Sequence, residues 1–140
     1  MTRLLILLAV AFLAVSATLG WMWQAYISGA TLADIYLGLT PSLKLFALAI
    51  LALTGIGGVA GLKGKAARVR EASILTVIFG ALGAAYGELN THFGWLIDNE
   101  INFTTLAPGR IESLAILALA LFGAALSLGI LHLRGGVRRG

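Results

Sequence analysis

The sequence contains no cysteine, two prolines, two histidines and few charges: 11% of its 140 residues are Asp, Glu, Lys or Arg. Without cysteine there is neither a disulfide framework nor a thiolate metal site. His92 and His132 lie forty positions apart and do not form a metal-ligand pattern, so no metal or cofactor is expected. There is no Gly-rich phosphate loop, no nucleophile elbow and no pair of catalytic carboxylates at usable spacing. The chain is therefore not read as an enzyme. So few charges also leave too little polar surface to cover a water-soluble globule of this size.

What fills the sequence instead is apolar residues, at 59%, and eighteen glycines. Four long segments are almost free of charge, at residues 4–26, 43–62, 72–95 and 111–133. Each is near the ~20 residues that span hydrocarbon as a helix. Lipid cannot satisfy bare backbone N–H and C=O groups, so each span must be a helix or part of a closed barrel. Unbroken apolar runs do not alternate every second residue, which excludes the barrel. The expected fold is all-α, a four-helix transmembrane bundle formed by one membrane domain over residues 1–140.

Charge sets the expected orientation, because Lys and Arg accumulate in cytoplasmic loops. Arg3 precedes the first span, Lys63, Lys65, Arg68 and Arg70 separate the second and third, and Arg134, Arg138 and Arg139 follow the fourth. All fall on one side. The other side carries Lys44 and Arg110 among Asp34, Asp98, Glu100 and Glu112. Both termini are thus expected in the cytoplasm. Trp21, Trp23 and Tyr26 close the first span at its outer end, and Phe93 and Trp95 close the third, where amphipathic rings favour the headgroup zone. The net charge of +4 is explained by a basic rim facing anionic lipid and implies no nucleic acid. A second reading of the N-terminus stays open: Arg3, an apolar run and Val15-Ser16-Ala17 also fit a signal peptide with its cleavage site.

Between the spans, Leu32 to Leu39 reads as a turn or interfacial helix, followed by Thr40-Pro41 at the start of the second span. The inner loop Lys63 to Glu71 is short enough only to join antiparallel neighbours. The outer loop Leu96 to Arg110 holds Pro108-Gly109 just ahead of the fourth helix, and its stretch Asn102 to Thr105 is suited to capping. Glu112 then falls in the first turn of that helix, where a carboxylate complements the dipole. His132, beside Arg134, reads as an interfacial residue.

Glycine spacing predicts the packing faces. Gly57 and Gly61, then Gly83 and Gly87 with Gly80 beside them, and Gly123 with its alanines, are placed for close helix approach within the chain or between copies. The polar groups inside the spans gather in the third: Tyr86, Glu88, Asn90, Thr91 and His92. Glu88 lies seven residues before Trp95, about 10 Å below the outer interface at 1.5 Å per residue. An ionisable group at that depth is costly unless neutral, paired or wetted. His92 follows one turn later on the same face. Glu88, His92 and Tyr86 are the ion-pathway candidates, with a helix-to-helix clamp, or a carboxylate reaching up to the outer water, as the alternatives.

The second half of the chain resembles the channel core of the MotA/TolQ/ExbB proton-channel family. In that family the penultimate helix carries a stretch of the form GLLGTVWG, and here Gly80 to Gly87 reads GALGAAYG, with Tyr86 at the aromatic position. A short outer loop then leads to Ala107-Pro108-Gly109 and an acidic residue, Glu112, near the start of the last helix. The resemblance implies a proton-channel subunit of a bacterial inner membrane, oligomeric, with a single-span partner. Departures are clear: the family's channel-lining threonines fall on Ala84 and near Ile116 and Leu117, and nine inner-loop residues leave no room for its cytoplasmic domain. This would be a reduced member. The other reading is a non-conducting structural or accessory subunit of a larger membrane complex. A transporter has little support, since no internal inverted repeat or broken span is evident.

Overall fold

The computed structural model describes residues 2–97 and 102–137. Asp98, Glu100, Arg138 and Arg139, used above for orientation, lie outside the described residues. The described residues form five helices: α1 Thr2–Tyr26, α2 Leu32–Gly38, α3 Pro41–Leu62, α4 Ala66–Ile97 and α5 Phe103–Val137. Four of them, all but α2, are long and apolar enough to cross a membrane. The all-α bundle expected from the apolar runs is the fold observed.

Two boundaries differ from expectation. The inner connection is only residues 63–65, because α4 begins at Ala66 and takes in Arg68, Arg70 and Glu71. Gly64 makes this tight reversal with φ +69°, which a glycine adopts without a Cβ clash. The N–H of Lys65 returns to the Ala60 carbonyl at 2.9 Å and that of Gly64 to Gly61 at 3.0 Å, closing the end of α3.

The outer connection shrinks as well, since α5 starts at Phe103 and holds Pro108 within it. Asn102 caps that start: its Oδ1 accepts from the Thr105 N–H at 3.2 Å, and the Thr105 hydroxyl donates to it at 3.2 Å. Pro108 removes one helix hydrogen bond. A proline six residues into a helix usually reads as a boundary; here the strong cap and the docking of Ala107 and Ile111, both buried, carry the helix through it. At about 48 Å and 52 Å, α4 and α5 exceed a ~30 Å hydrocarbon core and extend beyond it.

α2 is the predicted short interfacial element. Thr31 and Asp34 form a capping box, with the Asp34 carboxylate accepting from the Thr31 N–H and hydroxyl, both at 2.7 Å. Pro41 opens α3 at its first turn, as expected.

α5 is the hub. It packs on every other helix, α4 also packs on α3, and α1 joins the bundle mainly through α5. Burial follows this order, with 56% of the α5 span buried against 6% for α1. Leu19 and Met22 of α1 meet Ala107 and Ile111 near one end, whereas Leu5 and Leu8 meet Leu128 and Leu131 near the other. α1 therefore runs antiparallel to α5. The same geometry gathers Arg3, Lys63, Lys65, Arg68, Arg70 and Arg134 at one end of the bundle.

The glycine faces are all used inside the chain. Along the antiparallel α4–α5 pair, Gly80 sits on Ala120, Gly83 on Ile116 and Gly87 on Ser113, and Gly109 of α5 sits on Thr91. Along the parallel α3–α5 pair, Gly57 sits on Ser127, Gly61 on Ile130 and Gly123 on Thr54. A Cβ built at Gly57 would stand 2.6 Å from the Ser127 Oγ, and one at Gly83 2.8 Å from Ile116 Cγ2. Neither space admits an alanine without movement. Contact of this kind, rather than hydrophobicity, holds helices together in lipid.

Candidate functional site

The polar residues of the spans assemble at the end opposite the basic rim, where α3 begins, α4 nears its end and α5 emerges. The helix register sets their depth. Leu43, in the first turn of α3, lies beside Gly87, since a Cβ on Gly87 would meet Leu43 Cδ1 at 3.6 Å. Glu88 is therefore level with the start of α3. The distance of about 10 Å from Glu88 to Trp95 holds along the helix, since α4 continues unbroken to Ile97.

Glu88 reaches across to α5. Its Oε2 stands 3.7 Å from Arg110 Nε, and the two side chains are 49% and 40% exposed. The carboxylate is paired with Arg110 rather than His92. His92 is exposed and leans on Trp95, with ring centroids 5.5 Å apart. Tyr86 turns a half-open face outward and donates its hydroxyl to Ser42 Oγ at 3.2 Å, with Phe46 against its ring. Glu88 and His92 lie one turn apart on one open side of α4, whereas Tyr86, two residues before Glu88, turns to the other flank toward α3, so each of the three bonds or stacks to a different neighbour. A half-exposed pair of this kind contributes about 0–1 kcal/mol and acts mainly as a positioning contact.

Glu112 has a different role from the one expected. α5 begins nine residues before it, so Glu112 is remote from its own helix end; its Oε2 instead accepts the Thr40 N–H at 3.3 Å. The bare N-terminus of α3 takes the carboxylate that α5 supplies, with Lys44 one turn further along α3. Thr40 has no side-chain cap of its own, which is why an outside acceptor is needed. Tyr36 of α2 makes a similar tie, donating to the Ala115 carbonyl at 2.9 Å. Sequence reasoning missed Arg110, Ser42 and Thr40 as partners. Thr40-Pro41 did mark a helix start, but no local signal said that Thr40 would lack a side-chain cap or which carboxylate would serve it.

Deeper in the bundle, buried hydroxyls turn back on their own helices. Thr76 donates to the Ala72 carbonyl at 2.7 Å, Ser113 to Gly109 at 3.0 Å, and Ser127 to Gly123 at 2.9 Å. Ser73 is the exception, its Oγ buried without a partner. Around the periphery lie apolar grooves opened by the shallow docking of α1. One of 340 Å³ runs between α1, α2 and α5 past Phe12, Trp23 and Tyr36, and one of 280 Å³ lies between α1 and α4 past Leu8, Ser73 and Ile78.

These features define a class: a multi-pass α-helical membrane protein with a glycine-packed interior and a polar rim. Neither protein-family models, nor curated proteins, nor solved structures match the chain.

Proposed function

We propose that this chain is a non-conducting structural subunit of a membrane assembly, seated with its basic end in the cytoplasm. The observation that carries this reading is the interior. Glycines on α3, α4 and α5 close directly on Ala, Ser, Thr and Ile, and the buried threonines and serines there, Ser73 apart, bond their own helix carbonyls, with Ser127 also reaching the Thr54 carbonyl of α3 at 3.4 Å. Among the described residues these hydroxyls form no continuous chain that a proton could follow. Glu88, the one acidic group deep enough to suggest a relay, is explained by its level with the α3 start and its pairing with Arg110. Six cations on one end favour the cytoplasmic placement of that end.

A second reading has one specific support. Glu88 and His92 share an open face of α4, and a second copy or a single-span partner laid on that face would turn it into a seam lined by ionisable groups. That arrangement suits the proton-channel resemblance of the GALGAAYG stretch. The two readings part in liposomes loaded with a pH-sensitive dye. On the structural reading the purified protein gives no proton flux above empty vesicles, and extraction in mild detergent recovers it with other chains. Flux through the native protein that vanishes in Glu88→Gln would overturn the structural reading in favour of the channel.

A further inference from the structure

At the basic end, the α3–α4 hairpin forms a concavity of 330 Å³ whose walls are of two kinds. Gly55, Ile56, Val59 and Ala60 supply an apolar floor on the outside of α3, and Lys63, Lys65 and Arg68 supply the mouth. Gly55 makes the floor a notch, since a Cβ built there would meet no atom within 4 Å. Ile56 and Val59 are 58% and 52% exposed, so this floor faces the surrounding lipid. The same exposed side of α3 continues through Leu51 and Leu48 toward the other end.

The mouth is held in shape by backbone. Gly64 takes φ +69°, and the N–H groups of Lys63, Gly64 and Lys65 return to carbonyls of Val59, Gly61 and Ala60 at 2.9–3.1 Å. Lys63 and Lys65 therefore flank a fixed reversal, and Arg68 follows one turn into α4. Among the described residues no carboxylate lies within 4 Å of any of the three; Glu71, one turn beyond Arg68, forms no ion pair with it. Three cations line one hollow, unpaired with any carboxylate among the described residues, directly above an apolar trough that opens away from the bundle.

We infer that the Lys63–Lys65–Arg68 mouth and the Gly55–Val59 trough form a binding site for one anionic phospholipid of the leaflet at the basic end. Its phosphate sits among the three cations, and one acyl chain lies along the Gly55 notch. The chemistry on both sides matches: a basic pocket between spanning helices takes an anionic headgroup, and an exposed glycine notch accepts a methylene chain. A free phosphate would use the mouth only and leave the trough empty, so the two parts together specify a lipid. The site is independent of whether the chain conducts protons.

The test is native mass spectrometry of the full chain released from nanodiscs of equal parts phosphatidylglycerol and phosphatidylcholine. The native protein should retain one phosphatidylglycerol in preference to phosphatidylcholine. At about fivefold per cation near the surface, Lys63→Gln with Arg68→Gln should lower that retention about thirtyfold. The matched double variant Arg3→Gln with Arg70→Gln removes the same charge from the same end but leaves the mouth intact, and should lower it less than about threefold once salt screens the longer range. Gly55→Leu keeps every cation and fills the notch, and it should also lower retention. Equal losses in the two double variants, or equal retention of the two lipids by the native protein, would overturn the site and leave only a diffuse basic rim. Unchanged retention in Gly55→Leu, or displacement of the lipid by millimolar glycerol phosphate, would refute the acyl-chain half.

Discussion

Gly80 sits where α4 crosses α5, and the atom a Cβ would meet there is the Cβ of Ala120, whereas the next nearest, Ala120 Cα and the Ile116 carbonyl oxygen, stand at 3.7 and 3.8 Å. One methyl group therefore decides the crossing. Gly80→Ala forces two backbones apart, and overpacking of this kind costs about 1–3 kcal/mol. Ala120→Gly in the native background removes a buried methyl and lowers helix propensity by about 1 kcal/mol. Combined, the two changes exchange glycine and alanine across the contact and should restore the crossing, leaving a coupling of about 1–3 kcal/mol in the double-mutant cycle. Gly20→Ala is the control, because a Cβ there meets nothing within 4 Å, and it should leave stability unchanged or raise it by up to about 1 kcal/mol through helix propensity. The assay is unfolding in mixed micelles of rising sodium dodecyl sulfate, followed by far-ultraviolet circular dichroism. If Gly80→Ala and Gly20→Ala shift the transition equally, or the double variant is simply the sum of its parts, close glycine contact is not what holds α4 to α5.

Tyr36→Phe removes the hydroxyl that ties α2 to the Ala115 carbonyl and should cost about 1 kcal/mol, read as faster amide exchange confined to residues 32–38. Burial raises the Tyr36 phenol above its ordinary value of 10.0, so the docked state favours the neutral form; the tie is intact below pH 10 and is lost as pH rises through the raised value, an alkaline step that Tyr36→Phe should abolish. Asp34 shifts the other way. Its hydrogen bonds from the Thr31 backbone and side chain hold its carboxyl below 3.8, so the cap is complete above that value and is lost as pH falls through the lowered one. Exchange at the first turn of α2 should rise in that acid range, and Asp34→Ala should show the same fraying already at neutral pH.

Apolar runs of about 20 residues with charges gathered between them left no choice but spanning helices, because a bilayer offers the backbone no other partner. The sequence by itself also made the apolar stretch Leu32 to Leu39 legible as a turn or a short helix, though not the Thr31–Asp34 box that caps it, and it determined the glycines on which the helices close, since spacing of four places them on one face. What it determined less well were helix ends. Residues 66–71 and 103–110 looked like loop by their charge, Pro108 and Gly109, yet are helical, because a tight glycine reversal and the Asn102 cap are local features whose reach depends on what the next turns pack against.

Only the tertiary structure decided what the polar groups do. Whether Glu88 is a deep relay or a rim contact depends on how far α4 slides along α3 and α5, and that register is fixed by Gly87 beside Leu43 and Ser113, residues remote from one another in the chain. Glu112 serves Thr40 across 72 positions. The hollow at Lys63, Lys65 and Arg68 likewise exists because two helices turn back on each other above Gly55. Composition specifies the solvent a helix needs, since that is a property of each segment alone. Partners, depth and cavities belong to pairs of segments, and only their packing assigns them.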